Sequence, residues 1–457
     1  LKRYEQGLWG GFELKGMTDI NSIENRLKDI DKALKSLVLY RQLREDPAVT
    51  AFEEFIAGLM DNKTLPHQLL NAYSRFLSRI VNDFARDEND ISWLAYCGYS
   101  LLRCETVFSR RAELVGYEGL PLWMKNIMEH ELACLKQIAR AEWDDILNFA
   151  SYRSGFDEWL NPFTQSPVSA GNKSNYYNAV TGWNVKELAE HFYRCGSGMF
   201  GMFKAFRWER LNGRGYLQAI NDADPITLDD LVGYEEQKSR IIENTELLLK
   251  GYQANNILLY GDKGTGKSSL VKALIHRYGD QGLRIVEVPK EYLVDYYRIL
   301  EQLEGRKQKF ILFVDDLSFE EDEVEYKHIK ALLEGGIKAR PSNVVVYATS
   351  NRRHIIREFF RDRSAEYGPG QEQEVFSVDS LQEKLSLSDR FGITLTFISP
   401  NQRMYLEIVE ALAKNRELSM DMNKLKEEAL RWEKKYNGRS GRTARQFIDY
   451  IEAILGN

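Results

Sequence analysis

The sequence predicts an α/β protein: a parallel sheet flanked by helices, preceded by a separate all-α domain and followed by a small helical unit. Three observations predict it. Up to about residue 220, apolar residues recur at three-four spacing, as on amphipathic helices. From Asn221-Asp222-Ala223-Asp224-Pro225 onward the composition shifts, and short apolar runs alternate with helical patterns, the signature of a parallel sheet. Within that part, the run Gly261 to Ser268 sits between a strand-like and a helix-like stretch.

In residues 1–220, Ile20, Ile23, Leu27, Ile30, Leu34 and Leu37 form one apolar stripe. It is too short for a stable coiled coil and reads as a helix packed on its neighbours. Amphipathic stretches follow near 65–83, 91–111 and 121–150, with Pro121 suited to a first helical turn. The polar segment Asn161 to Asn175 reads as a loop, and 183–206 as helix again. Gly196-Ser197-Gly198-Met199-Phe200-Gly201 spells GxGxxG, but it follows a helical pattern rather than a strand, so a dinucleotide site is rejected. Between Phe200 and Tyr216, Phe203, Phe206, Trp208 and Tyr216 interleave with Lys204, Arg207, Arg210 and Arg214. That composition can stack and neutralise single-stranded nucleic acid; the expectation is a helix with an aromatic core face and a basic solvated face.

In residues 221–399, strands are expected at 256–260, 284–288, 310–314, 343–348 and 393–398. Residues 400–457 form the helical unit, with helices at 400–415, 421–436 and 440–455. Ser399 is suited to cap the first of these and Pro400 to occupy its first turn.

Bulk properties narrow the function. The chain has 457 residues, 43% hydrophobic and 28% charged, with a net charge of −6. There is thus no global basic field for nucleic acid or an anionic membrane. No apolar run approaches the roughly 18 residues of a membrane-spanning helix. The four cysteines and six histidines are scattered without metal-ligand spacing, so reduced thiols and a cytoplasmic location are expected. Leu1-Lys2-Arg3-Tyr4 shows neither a signal sequence nor an initiating Met, so upstream residues are expected.

The chemistry starts at Gly261-Asp262-Lys263-Gly264-Thr265-Gly266-Lys267-Ser268, with Ser269 following. Strand, Gly-rich turn and helix is the context of a phosphate-binding P-loop. The glycines let consecutive N–H groups point inward at an anion, and the helix start adds its dipole. Lys267 reaches β/γ-phosphates and the Ser268 hydroxyl ligates Mg²⁺. About 50 residues on, the apolar strand Phe310 to Val314 ends in Asp315 and Asp316. In a P-loop ATPase the first acid holds Mg²⁺ and a second carboxylate polarises the attacking water. Val344 to Ser350 is a further strand ending at Asn351, which is placed to orient water or sense a γ-phosphate, or else to cap a following helix. Arg390, before the last strand, offers a planar fork for phosphate. Arg442 and Arg445 open the last helix, from which an arginine could close onto the phosphates. Asp230-Leu231-Val232-Gly233 could wrap an adenine.

Taken together and in this order, DLVGYEE, GDKGTGKS, FILFVDD, YATSN, LSDRFG and SGRTARQF resemble the AAA+ ATPases over about residues 224–457. The wording DDLSFE, ATSNRRH and EKLSLSDRFG is similar to a prokaryotic domain family of unknown function within that superfamily. The resemblance implies a P-loop NTPase sheet with a helical lid, ATP and Mg²⁺ as cofactors, and an ATP-dependent homo-oligomer. It makes Lys267 and Ser268 the phosphate and Mg²⁺ residues, Asp315 the metal acid, Asn351 sensor 1 and Arg390 a finger acting in trans. Arg445 is the choice for sensor 2, with Arg442 the alternate. Two departures matter. The second acid is Asp316 where many members have Glu, so water activation lies with Asp316 or with Glu320. And Pro289 to Tyr296 runs into a helical pattern without the glycine of an unfoldase pore loop. Arg363 to Lys384 looks like an insertion. The expected function is slow ATP hydrolysis driving a conformational change felt by the N-terminal domain, which would bind a protein client. The rivals are a nucleic-acid loader or initiator, supported by Arg352-Arg353-His354 and Arg361 to Arg363, and a nucleotide-gated scaffold that does not hydrolyse.

Overall fold

The computed structural model describes residues 20–84, 92–156, 175–317, 333, 340–351, 391–436 and 438–455. Arg390, Glu320, the basic segment from Arg352 to Arg363 and the expected insertion lie outside the described residues, as does nearly all of the expected loop 161–175. The chain divides into two compact units, Leu1–Met202 and Phe203–Asn457.

The first unit is helical: α1 (Ile20–Lys35), α2 (Pro47–Met60), α3 (Pro66–Phe84), α4 (Trp93–Arg103), α5 (Val107–Val115), α6 (Leu122–Ala139), α7 (Trp143–Ser154), α8 (Asn175–Thr181), α9 (Val185–Cys195) and α10 (Met199–Met202). Ile23, Leu27, Ile30 and Leu34 of α1 are buried, and α1 packs on α2 and α6. Phe52, Phe76, Trp93 and Trp143 make an aromatic centre, with Phe52–Trp93 centroids 4.5 Å apart and Phe76–Trp143 stacked at 5.3 Å. Glu131 is fully buried and accepts the amides of Val38, Leu39 and Tyr40 at 2.7, 2.6 and 2.9 Å, so the turn after α1 is tied to α6 by three hydrogen bonds to one side chain. Gly196 to Gly201 closes α9 and starts α10, so it joins two helices rather than a strand to a helix.

The second unit holds a seven-stranded sheet in the order β2-β1-β4-β5-β6-β3-β7. Its strands are β1 (Ala205–Leu211), β2 (Arg214–Ile220), β3 (Ile257–Gly261), β4 (Leu283–Glu287), β5 (Lys309–Val314), β6 (Val344–Ser350) and β7 (Ile393–Phe397). All five expected strands are present, and all neighbours pair in parallel except β1 with β2. Every residue of β6 is buried, as the continuous apolar run of a sheet covered on both faces requires. The helices of this unit are α11 (Glu235–Leu249), α12 (Lys267–Tyr278), α13 (Tyr296–Leu303), α14 (Gln402–Asn415), α15 (Met422–Lys435) and α16 (Gly441–Leu455). Asn244 on α11 donates to Asn255 O at 2.9 Å and to Tyr347 Oη at 3.0 Å, fixing the start of β3 against β6.

Three expectations on 200–220 and 399–400 are corrected. The aromatic and basic stretch is a β-hairpin that extends the sheet, not a helix, so the units divide at Met202–Phe203 rather than at 220. Its residues alternate: Phe206 and Trp208 are buried while Arg207 and Arg210 are not. Asn212 and Gly213 both have positive φ, 51° and 77°, which suits the tight turn that matches strand twist. With Phe206 and Trp208 in the core, two of the four aromatic rings of the stretch are withdrawn from any contact with bases. Finally, the cap of α14 is Asn401, whose side chain accepts from Met404 N, and not Ser399.

The hairpin is fastened through Asp295. Trp208 Nε1 and Arg210 Nε donate to Asp295 Oδ2 at 3.0 and 2.7 Å, and Arg210 lies over the Tyr292 ring. Arg210 and then Trp208 hold the Asp295 carboxyl below the usual range against its burial. Trp208→Ala should therefore destabilise the intact chain by about 3–5 kcal/mol. Tyr216→Ala on the exposed face should stay within about 0.5 kcal/mol. Urea denaturation of both variants checks this; equal losses would contradict the assignment of faces.

Candidate functional site

β3 leads straight into the Gly-rich turn. Gly261 has φ 137°, and a Cβ there would lie 1.9 Å from the Phe397 carbonyl oxygen, so only glycine lets β3 and β7 approach at this point. Asp262 N donates to the same Phe397 oxygen at 2.9 Å. The loop then turns through Gly264 and Gly266 into α12. Lys267 is 4% exposed, and its Nζ donates to Gly261 O at 3.0 Å and Asp262 O at 2.7 Å. The lysine is thus folded onto its own loop at the N-terminus of a helix, where backbone N–H groups and the dipole favour an anion.

The acids arrive from β5. Ser268 Oγ donates to Asp315 Oδ1 at 2.6 Å, although β5 and β3 are separated in the sheet by β6. The end of β6 fills that gap. Thr349 Oγ1 donates to Asp315 Oδ1 at 2.5 Å, and Asp316 N donates to Thr349 Oγ1 at 2.9 Å. Leu317 N donates to Thr349 O at 2.8 Å, and Asn351 Nδ2 donates to Asp316 Oδ1. Asp316 has φ 53°, a left-handed conformation that costs a side-chain-bearing residue roughly 1–2 kcal/mol and that Asp tolerates better than Glu.

The remaining walls come from the entry segment and the last helices. One cavity of about 530 Å³ is lined by Leu231, Val232 and Gly233, by Lys263 to Ser269, by Asp315, Asp316 and Asn351, and by Ile408, Leu412, Arg442 and Arg445. Asp230, at its edge, accepts from Thr227 N at 2.8 Å, Thr227 Oγ1 at 2.7 Å and Asn415 Nδ2 at 3.1 Å, contacts that lower its pKa. The loop touches the segment that leads into the helical unit and the unit itself. Asp262 Oδ2 accepts from Ser399 N at 2.8 Å and Ser399 Oγ at 2.6 Å, and Arg442 N donates to Gly264 O at 3.3 Å.

All the expected site residues within the described part line this one cavity or, for Gly261 and Asp262, shape its floor. Arg442 and Arg445 both reach it, so their alternation stays open. Two participants were missed. Thr349 was signalled only by standing two residues before Asn351 in a strand-end run of polar residues. The Asp262–Ser399 link had no local signal, because its partners are 137 residues apart.

The donor set suits its expected occupants. A buried amine beside loop amides at a helix start matches a polyphosphate. A hydroxyl and a carboxylate 2.6 Å apart are hard oxygen ligands of the kind Mg²⁺ takes. Ser268 and Asp315 would hold that ion, which would supply charge compensation for the phosphates. Among the described residues no group of three or more His, Cys, Asp or Glu is placed to hold a metal by itself.

A family model described as "Protein of unknown function (DUF815)" matches residues 201–455, more than half of the chain. The Proteasome-activating nucleotidase of Methanothermobacter thermautotrophicus is 26% identical over 167 residues, 30% of this chain and 40% of that protein. The 26S proteasome regulatory subunit 4 homolog of Saccharomyces cerevisiae is 27% identical over 176 residues, 33% of this chain and 38% of that one. The chain thus spans less than half the length of these curated relatives. Among solved structures, a RuvB variant of Thermotoga maritima overlays 51% of this chain and 67% of its own, at 18% identity and a TM-score of 0.35.

Burial pushes the Lys267 ammonium down from its ordinary 10.5 to about 8, against support from Asp262, Asp315 and Asp316. A bound triphosphate favours the charged form, so binding takes up a proton, and apparent affinity should fall as pH rises through about 8, by at most about tenfold per unit. The empty protein should show the opposite slope. Between about 8 and 10.5 the unfolded chain holds the proton that the folded one has lost, so stability rises with pH there. Calorimetric titration at pH 8.5 in buffers of different ionisation enthalpy checks the uptake, and a binding heat independent of the buffer would contradict it.

Proposed function

This chain belongs to the family described as Protein of unknown function (DUF815) and carries an AAA+ core, and we propose that it is an ATP-binding ATPase coupling slow hydrolysis to a conformational change in a protein complex. The observation that carries this reading is the contact of the P-loop with the segment leading into the helical lid, Asp262 to Ser399, and with the lid itself, Gly264 O to Arg442 N. Phosphates drawing Lys267 off the Gly261 and Asp262 carbonyls would reshape the loop on which the lid rests.

In this reading Lys267 binds β/γ-phosphates, and Ser268 and Asp315 hold Mg²⁺. Leu231 to Gly233 contact the adenine. Asn351 senses the γ-phosphate while orienting Asp316, which polarises water. Arg445 or Arg442 follows the phosphates from the lid. Turnover is slow because an Asp carboxylate stops about 1 Å short of where a Glu would reach, and such misplacement can cost on the order of 10²-fold. Arg390 serves a neighbouring subunit, so the active form is a homo-oligomer. The N-terminal unit, with Leu122 and Trp123 exposed at the start of α6, binds a protein client. Nucleic acid is not favoured, given the burial of Phe206 and Trp208. No helix among the described residues is long and apolar enough to cross a membrane. Cys97, Cys104, Cys134 and Cys195, none in a disulfide among the described residues, suit a cytoplasmic setting.

ATP turnover by the purified intact chain tests the proposal. Basal turnover should lie below about 1 s⁻¹, the lower end of ordinary enzymes, with Asp316→Asn slower still. Arg390→Ala should keep ATP binding and lose about 10³-fold in turnover. Mixing it with Lys267→Ala should restore part of the activity through hybrid interfaces. Full-rate hydrolysis by a strictly monomeric preparation, or rates above roughly 10 s⁻¹ without a partner, would contradict the account.

A further inference from the structure

We propose that Thr349 is the positioning residue of the acid pair, its one hydroxyl setting both the direction of the Asp315 carboxylate and the backbone turn of Asp316. This rests on the nucleotide reading of the site and adds a residue to it. Thr349 is the penultimate residue of β6 and is 1% exposed. A hydroxyl has one proton to give and lone pairs to receive with, and here both capacities go to the acids. It donates to Asp315 Oδ1 at 2.5 Å, the same oxygen that accepts from Ser268 Oγ at 2.6 Å. It accepts from Asp316 N at 2.9 Å, where the backbone enters the left-handed region.

Packing alone does not require this residue. Valine has the same shape, suits a buried strand better, and would leave no hydroxyl to satisfy. The hydroxyl bridges two jobs that the expected chemistry separates. Through Asp315 it orders the carboxylate beside Ser268. Through Asp316 N it holds the turn from which the Asp316 carboxylate meets Asn351. One contact on β6 therefore sets the relative placement of two acids that β5 alone does not fix. The class of effect is that of outer-shell partners of a metal ligand, whose loss costs about 10–100-fold in metal affinity or activity.

The test uses the intact chain carrying Thr349→Val, with Thr349→Ser as the variant that keeps the hydroxyl. The first readout is binding of a slowly hydrolysed ATP analogue, without Mg²⁺ and across a Mg²⁺ titration. The second is the split between kcat and KM for ATP. In Thr349→Val, affinity without Mg²⁺ should change by less than about threefold, while the Mg²⁺ needed for half-effect rises about 10–100-fold. Its kcat should fall by a similar factor with KM at saturating Mg²⁺ little moved. Thr349→Ser should recover most of both losses. If Thr349→Val does not fold, Thr349→Ala removes the hydroxyl together with the γ-methyl, introducing no new group, and must show the same pattern. Wild-type behaviour in Thr349→Val, or Thr349→Ser as impaired as Thr349→Val, would overturn the proposal and leave the nucleotide reading standing. A wild-type chain that binds no analogue with or without Mg²⁺ would overturn both.

Discussion

The place of β3 between β6 and β7 is the constraint on which the rest of the second unit depends. Parallel strands deliver their C-terminal ends to one edge of a sheet, and ligands bind where those ends diverge. Here that edge collects the Gly-rich turn from β3, Asp315 and Asp316 from β5, Thr349 and Asn351 from β6, and the exit toward Ser399 from β7. The close approach of Gly261 to Phe397 O draws the turn tight against β7. On its other side, Ser268 reaches past the end of β6 to Asp315. Burying Lys267 in such a place lowers its pKa, against the support of the nearby carboxylates and of the two loop carbonyls to which the amine donates.

The helical lid inherits its position from the same loop. Asp262 anchors the start of the lid at Ser399, and Gly264 O receives the first turn of α16 through Arg442 N. The three helices share one core, centred on Tyr405, Val409, Ala444 and Ile448, so under the proposed function a change in the loop would be passed to them as a unit. The strand order gives the fold of this unit.

Much of this was legible in the sequence, for physical reasons that differ by element. The Gly-rich turn and the acids are local patterns, each framed by an apolar run that reads as a strand on its own. The hairpin was equally local but misread. The aromatic and basic residues fit a helical face, while Asn212-Gly213 and the period-two alternation of Phe206 and Trp208 with Arg207 gave the stronger turn and strand signal. Ser399 was misread because a hydroxyl before a proline-led helix is a normal cap, and its actual partner, Asp262, lies far away in sequence. Thr349 could not be singled out, since its role exists only when β5 and β6 are paired.

The central claim is that this cavity binds Mg²⁺-ATP through Lys267, Ser268 and Asp315. Calorimetric titration of the intact chain with a slowly hydrolysed ATP analogue, with and without Mg²⁺, tests it most directly. The account predicts one saturable site per chain that tightens with Mg²⁺ and disappears in Lys267→Ala. Titrations without saturable binding, or an affinity unchanged in Lys267→Ala, would contradict it.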